Sequence, residues 1–208
     1  MGLNRDFPTL KWRKRRRDGA SGNFSDTPYG KKPIINGITL DIPERTTTAI
    51  VGPSGGGKTT LCHLLFRFWD VEGGRVTLGG HDVREYSMDS LMRNFSFVFQ
   101  SVYLFHDTIA NNIRFGQPDA PIIILDEATA NVDPENEKEL MDAVRALTCE
   151  KTVIMIAHRL KTVRHADQIL VIDKGRIVQR GTHDELLAQD GIYRRFISGR
   201  EQAVGWKL

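Results

Sequence analysis

The 208-residue chain has few cysteines, no long apolar run and little overall excess of charge. Its two cysteines, Cys62 and Cys149, make no disulfide framework and fit a reducing cytoplasm as ordinary semi-buried thiols. A bilayer-spanning helix needs roughly 20 apolar residues, whereas the longest runs here, such as residues 153–157, are strand-sized. Residues 1–10 lack the apolar core of a secretory signal. These absences argue against a disulfide-stapled secreted module and against membrane-spanning helices in this sequence. What remains, with 40% apolar and 26% charged residues, reads as one globular domain of ordinary composition.

The net charge of +3 is unevenly placed. Residues 1–18 hold seven Lys/Arg against Asp6 and Asp18, while the other 190 hold 22 basic and 24 acidic groups. The basic run around Lys11, Arg13, Lys14, Arg15, Arg16 and Arg17 could touch nucleic acid or anionic lipid. A solvated arm is the favoured reading, because a Gly/Ser/Asp-rich stretch follows it. Residues 1–28 are therefore expected to be a basic, flexible tail, and no specific nucleic-acid partner is expected.

Regular patterning begins at Ile34. Residues 38–42 alternate apolar and polar, as a half-buried strand does, and residues 46–51 are a β-branched run feeding a glycine-rich turn. Leu61, Leu64, Leu65 and Phe68 then fall at helical spacing. Strands are expected at 75–78, 95–99, 122–125, 152–157, 168–172 and 176–179, the last two as a hairpin. Helices are expected at 87–93 with Ser87 as N-cap, at 107–115 and 135–147, near 160–165, and at 184–188 and 192–197. Strands interleaved with helices predict an α/β fold with a largely parallel sheet.

Gly52, Pro53, Ser54, Gly55, Gly56, Gly57, Lys58, Thr59 and Thr60 satisfy the Walker A template. Its glycines let backbone N–H groups turn toward phosphates, and the following helix adds partial positive charge at its N-terminus. Lys58 is expected on the β and γ phosphates and the Thr59 hydroxyl on Mg²⁺. Residues 122–127, Ile-Ile-Ile-Leu-Asp-Glu, fit Walker B: a buried strand delivers Asp126 toward the magnesium and Glu127 toward an attacking water. Alone, such a pair reads equally well as a core strand ending in two solvated acids. Paired with Walker A in chain order, it points to a nucleotide hydrolase. His158 follows a strand, at the edge where open α/β sheets bind ligands. Gln100 also ends a strand and by itself would mean nothing.

Together these residues resemble an ABC transporter nucleotide-binding domain of the exporter type. Tyr29, the Walker A loop, Gln100, the Leu-Asp-Glu-Ala-Thr-Ala stretch, Asn131-Val-Asp133 and Ala157-His-Arg159 stand in that family's order. The resemblance covers about residues 29–200, leaving 201–208 as a C-terminal tail. It implies a P-loop NTPase core, with a mostly parallel sheet flanked by helices and an N-terminal antiparallel β portion. It also implies ATP and Mg²⁺ as ligands and ATP hydrolysis coupled to export. Its partners would be transmembrane subunits and a second nucleotide-binding domain, placing the chain at the inner face of the cell membrane. Under it Tyr29 would stack on adenine, Gln100 would link magnesium to the transport subunit, and Glu127 would be the catalytic base. His158 would be the switch histidine, and Asn131–Asp133 would face the second monomer.

Two parts of the family pattern have no counterpart. No Leu-Ser-Gly-Gly-Gln-type signature stands between Gln100 and Asp126, where a helical subdomain would sit; Gly116-Gln-Pro-Asp-Ala120 runs directly into Pro121. A first strand before Tyr29 also reads as missing. Residues 101–121 still allow a parallel crossover of a dozen or more residues. Nine helical residues at 107–115 cover about 13 Å, against about 17 Å for a five-residue strand. The expectation is a core that folds and binds nucleotide, with hydrolysis impaired for want of a signature. The alternative is a non-hydrolysing nucleotide-binding or regulatory module.

Overall fold

A computed structural model describes residues 10–13, 34–71, 73–98, 119–126, 150–157 and 163–205. The described strands are β1 (Leu10–Arg13), β2 (Leu40–Ile42), β3 (Thr47–Val51), β4 (Arg75–Leu78), β5 (His81–Asp82), β6 (Phe95–Val98), β7 (Ile122–Asp126), β8 (Thr152–Ile156), β9 (Gln168–Asp173) and β10 (Arg176–Gly181). The described helices are α1 (Lys58–Leu65), α2 (Met88–Met92), α3 (His183–Leu187) and α4 (Ile192–Gly205), with a 3₁₀ turn at Val83–Glu85. A six-stranded sheet runs β10-β9-β3-β8-β7-β6, parallel except for the β9–β10 hairpin.

The β-branched, apolar character of β3, β7 and β8 follows from burial on both faces, as parallel sheets require. Period-two alternation divides these strands between two cores. Ile50, Ile122, Ile124, Ile154 and Ile156 meet α1 through Leu61, Leu65 and Phe66. Ala49, Val51, Ile123, Leu125, Val153 and Met155 form the opposite core with Leu186, Tyr193 and Ile197 from α3 and α4. Fully burying one such isoleucine or leucine stabilises the fold by about 1.5–3 kcal/mol. Two buried hydroxyls in these strands are paired: Thr152 Oγ1 accepts the Arg45 N–H at 3.0 Å, and Thr48 Oγ1 accepts from Gln168 at 3.3 Å.

β6 and β7 are direct parallel neighbours, from Phe95 beside Ile122 to Val98 beside Leu125. The short interval between Gln100 and Asp126 therefore permits closure of the sheet. The helices expected at 107–115 and 135–147 lie outside the described residues. Ser87 caps α2 as expected, its hydroxyl accepting the Ser90 N–H at 3.3 Å.

One expectation is corrected. Residues 1–28 read as a flexible tail with no strand before Tyr29, yet Leu10–Arg13 forms β1, inside a four-stranded antiparallel sheet ordered β2-β1-β4-β5. Leu10 takes the register position opposite Ile42 and Leu78, and Trp12 that opposite Leu40 and Val76. All four partners are buried, so the apolar half of an alternating strand lies hidden within a basic run.

Candidate functional site

The glycine-rich turn leaves the end of β3 and enters α1. Its shape requires bare backbone. A Cβ on Gly52 would stand 2.0 Å from the Ile172 carbonyl oxygen, and one on Gly56 would stand 2.9 Å from the same atom. Gly52 also holds φ at 145°, which side chains disfavour. The turn is closed by the Gly56 N–H donating to the Pro53 carbonyl at 3.1 Å.

Gly57 precedes α1 and offers no side-chain cap, and no acidic residue occupies the first turn. The helix thus presents N–H groups and the positive end of its dipole without a competing carboxylate, the arrangement that binds anions. Lys58, 6% exposed, folds under the turn and donates from Nζ to the carbonyls of Gly52 (3.1 Å) and Pro53 (3.0 Å). Pro53, Ser54, Gly55 and Thr59 face solvent.

Asp126 ends β7, two strands and about 10 Å across the sheet from β3. Thr59, Cys62 and His63 of α1, and Phe66 just after it, line one narrow cavity with Asp126, Ile124 and Ile156. Thr59 and Asp126 thus line the same cavity. Hydroxyl and carboxylate oxygens are hard donors of the kind that suit Mg²⁺. Burial, then the Asp126 charge, pushes the Cys62 thiol well above its ordinary value. Burial lowers His63. The Ala157 N–H donates to the Ile50 carbonyl at 3.2 Å, so β8 and β3 end at the same edge.

Of the expected site residues, the structure describes Gly52 to Thr60 and Asp126, and puts Thr59 and Asp126 on one cavity. Tyr29, Gln100, Glu127, His158 and Asn131 to Asp133 lie outside the described residues. Missed from sequence is the wall behind the turn, formed by Ile172 and by the Lys174–Gly175 turn of the β9–β10 hairpin. Its local signals are the glycine of the expected 168–179 hairpin and the likeness of residues 175–183 to the family's C-terminal sequence.

A parallel sheet whose central strand feeds a glycine turn and an uncapped helix, with an aspartate from a nearby strand in the same cavity, defines a P-loop nucleotide-binding domain. The chain belongs to the ABC transporter family, whose model matches residues 35–170. It is 39% identical to the ATP-dependent lipid A-core flippase of Vibrio cholerae over 223 positions, covering 80% of this chain and 38% of that protein. It is also 39% identical to the mycobactin import ATP-binding/permease protein IrtA of Mycolicibacterium thermoresistibile, covering 78% of this chain and 24% of that one. A solved bacterial Atm1-family ABC exporter with ATP bound superposes with a TM-score of 0.79 at 27% identity, covering 95% of this chain and 43% of that chain. The chain thus corresponds to the ATP-binding part of ABC transporters and spans well under half the length of these relatives.

The flippase alignment spans more positions than this chain supplies. Its 223 positions are matched by 80% of 208 residues, about 166, so about 57 aligned positions have no residue in this chain.

Proposed function

We propose that this chain binds Mg-ATP at the Gly52–Thr60 turn. The observation that carries the reading is the Lys58 ammonium held beneath the Gly52 and Pro53 carbonyls, together with a cavity lined by both Thr59 and Asp126. The backbone of Gly52, Pro53, Ser54, Gly55, Gly56 and Gly57 wraps the phosphate chain, Lys58 meets the β and γ phosphates, and Thr60 extends the amide cradle. Thr59 and Asp126 would hold Mg²⁺, which would neutralise charge on the phosphate oxygens. Tyr29 stacks on adenine, Gln100 joins the magnesium site to a transport subunit, Glu127 orients the attacking water, and His158 contacts the γ-phosphate. ATP titration of the wild type and of Lys58→Ala tests this; equal affinities would refute it.

We further propose that the domain serves membrane subunits at the cytoplasmic face of the cell membrane, paired with a second nucleotide-binding domain, and hydrolyses ATP weakly by itself. Loss of a segment between Gln100 and Asp126 would remove the helical subdomain and its signature. Phosphoryl transfer depends on electrostatic stabilisation of the transferring group, and that segment would supply donors to a partner's γ-phosphate. A non-hydrolysing nucleotide-binding module is the second reading, favoured by the same shortening. Single-turnover hydrolysis with and without an intact partner domain separates them. Glu127-dependent turnover by this chain alone, at the rate of an intact domain, would rule out both the impairment and the second reading.

A further inference from the structure

Three glycines of the phosphate turn lean on one distant piece of backbone. Positions where Gly52 and Gly56 would carry a Cβ are closed by the Ile172 carbonyl oxygen, and that of Gly57 lies 3.6 Å from the Gly175 Cα. Gly175 also bonds the turn directly: its N–H donates to the Gly56 carbonyl at 2.9 Å. Its own carbonyl accepts the Asn36 N–H at 2.8 Å. Gly175 sits at φ 72°, and a Cβ there would come within 1.8 Å of the Ile34 carbonyl oxygen. A single buried residue therefore joins the Ile34–Asn36 segment to the phosphate turn, and nothing but glycine fits between them.

We infer that Gly175 is a positioning residue of the nucleotide site: it sets the orientation of Gly56 and Gly57 and thereby the affinity for a polyphosphate chain. This rests on the reading of the Gly52–Thr60 turn as the phosphate site. Any side chain at 175 must push Ile34 or the hairpin turn aside, and the Gly56 carbonyl moves with that turn. The neighbouring N–H groups then no longer converge. Oriented donors tolerate such misplacement poorly, since shifts near 1 Å far from the bound group cost large factors in function.

The test uses inorganic tripolyphosphate and ATP as probes, with Gly175→Ala compared against Gly80→Ala. Gly80, in the β4–β5 hairpin, has φ 88° and open space around its Cα, so alanine there carries the same kind of backbone strain without a collision. Gly175→Ala is expected to weaken tripolyphosphate binding at least tenfold, and Gly80→Ala to leave it within about twofold. A folded Gly175→Ala protein with wild-type affinity overturns the inference. If Gly175→Ala fails to fold, hydrogen exchange in the wild type decides. A turn that positions the loop must itself be stabilised by what the loop binds. The Gly175 amide is then expected to exchange several-fold more slowly with saturating tripolyphosphate, and an unchanged rate overturns the inference. A wild-type protein that binds neither probe would instead overturn the phosphate-site reading beneath it.

Discussion

Lys58 Nζ donates to the Gly52 carbonyl at 3.1 Å, so the turn that delivers the lysine also encloses its cation. A second acceptor, the Pro53 carbonyl at 3.0 Å, fixes the ammonium on the loop side of α1. One compact charge with rotatable donors suits this enclosure; a planar guanidinium does not. Lys58→Ala is expected to weaken ATP binding by about 1.5–3 kcal/mol, roughly 10- to 150-fold, the range for hydrogen bonds to charged groups. Lys58→Arg is expected to lose binding as well, despite keeping the charge. Calorimetric titration, with thermal unfolding run alongside to show that both variants fold, measures the effect. Wild-type affinity in Lys58→Arg would mean that charge alone matters there.

Thr59 and Asp126 stand 67 residues apart in the chain and line one cavity. Replacing Asp126 with asparagine keeps the size and removes the charge that a hard divalent cation requires. The expected result is a loss of the Mg²⁺-dependent part of ATP binding, with metal-free affinity kept within about threefold, because Lys58 and the backbone amides remain. ATP titrations with MgCl₂ and with EDTA check it. An Asp126→Asn protein whose ATP affinity still rises with Mg²⁺ as in the wild type would remove Asp126 from the metal site.

Cys62 lies in α1, buried, and its thiol is pushed upward by burial and then by the Asp126 charge. The unfolded chain binds that proton with the ordinary value near 9. Below pH 9 both states hold the proton and the stabilisation is complete. As pH rises past 9 the unfolded state loses the proton first, so stability falls. Cys62→Ala is expected to flatten that alkaline fall, at the expense of some core packing. Native protein at pH 8 is expected to leave Cys62 unmodified by iodoacetamide and to react there only in urea. Rapid native alkylation at Cys62, located by peptide mapping, would contradict the burial.

Local patterns carried most of the fold. The strand, glycine turn and helix around Gly52 to Thr60, the Ser87 cap and the β9–β10 hairpin each have signals within ten residues of one another. β1 was obscured because its apolar positions, Leu10 and Trp12, alternate with Lys11 and Arg13 inside a run whose charge dominates composition. The wall behind the phosphate turn was illegible for another reason. Ile172 acts through its carbonyl oxygen and Gly175 through its N–H and its missing Cβ, and backbone groups 116 or more residues away leave no mark on the motif they support.

Tyr193 of α4 and His183 of α3 meet inside the second core, Oη to Nδ1 at 2.7 Å. Both are buried, and Tyr193 is fully so. Tyr193→Phe keeps the ring and its packing but deletes the oxygen, leaving His183 Nδ1 buried without that partner. The expected cost is about 1–3 kcal/mol, read as a lower urea midpoint with unchanged slope. The phenol itself is pushed up to about 12, by burial and then by the Asp184 charge, from an ordinary value of 10. Its contribution is therefore complete below pH 10 and lost as pH rises from 10 to 12. Tyr193→Phe should lose stability less steeply across that window than the wild type, although it begins from a lower value. Urea titrations at pH 8 and pH 11 measure both effects. If the variant matched the wild type in midpoint at pH 8, the Tyr193–His183 bond would contribute nothing to holding α3 and α4 together.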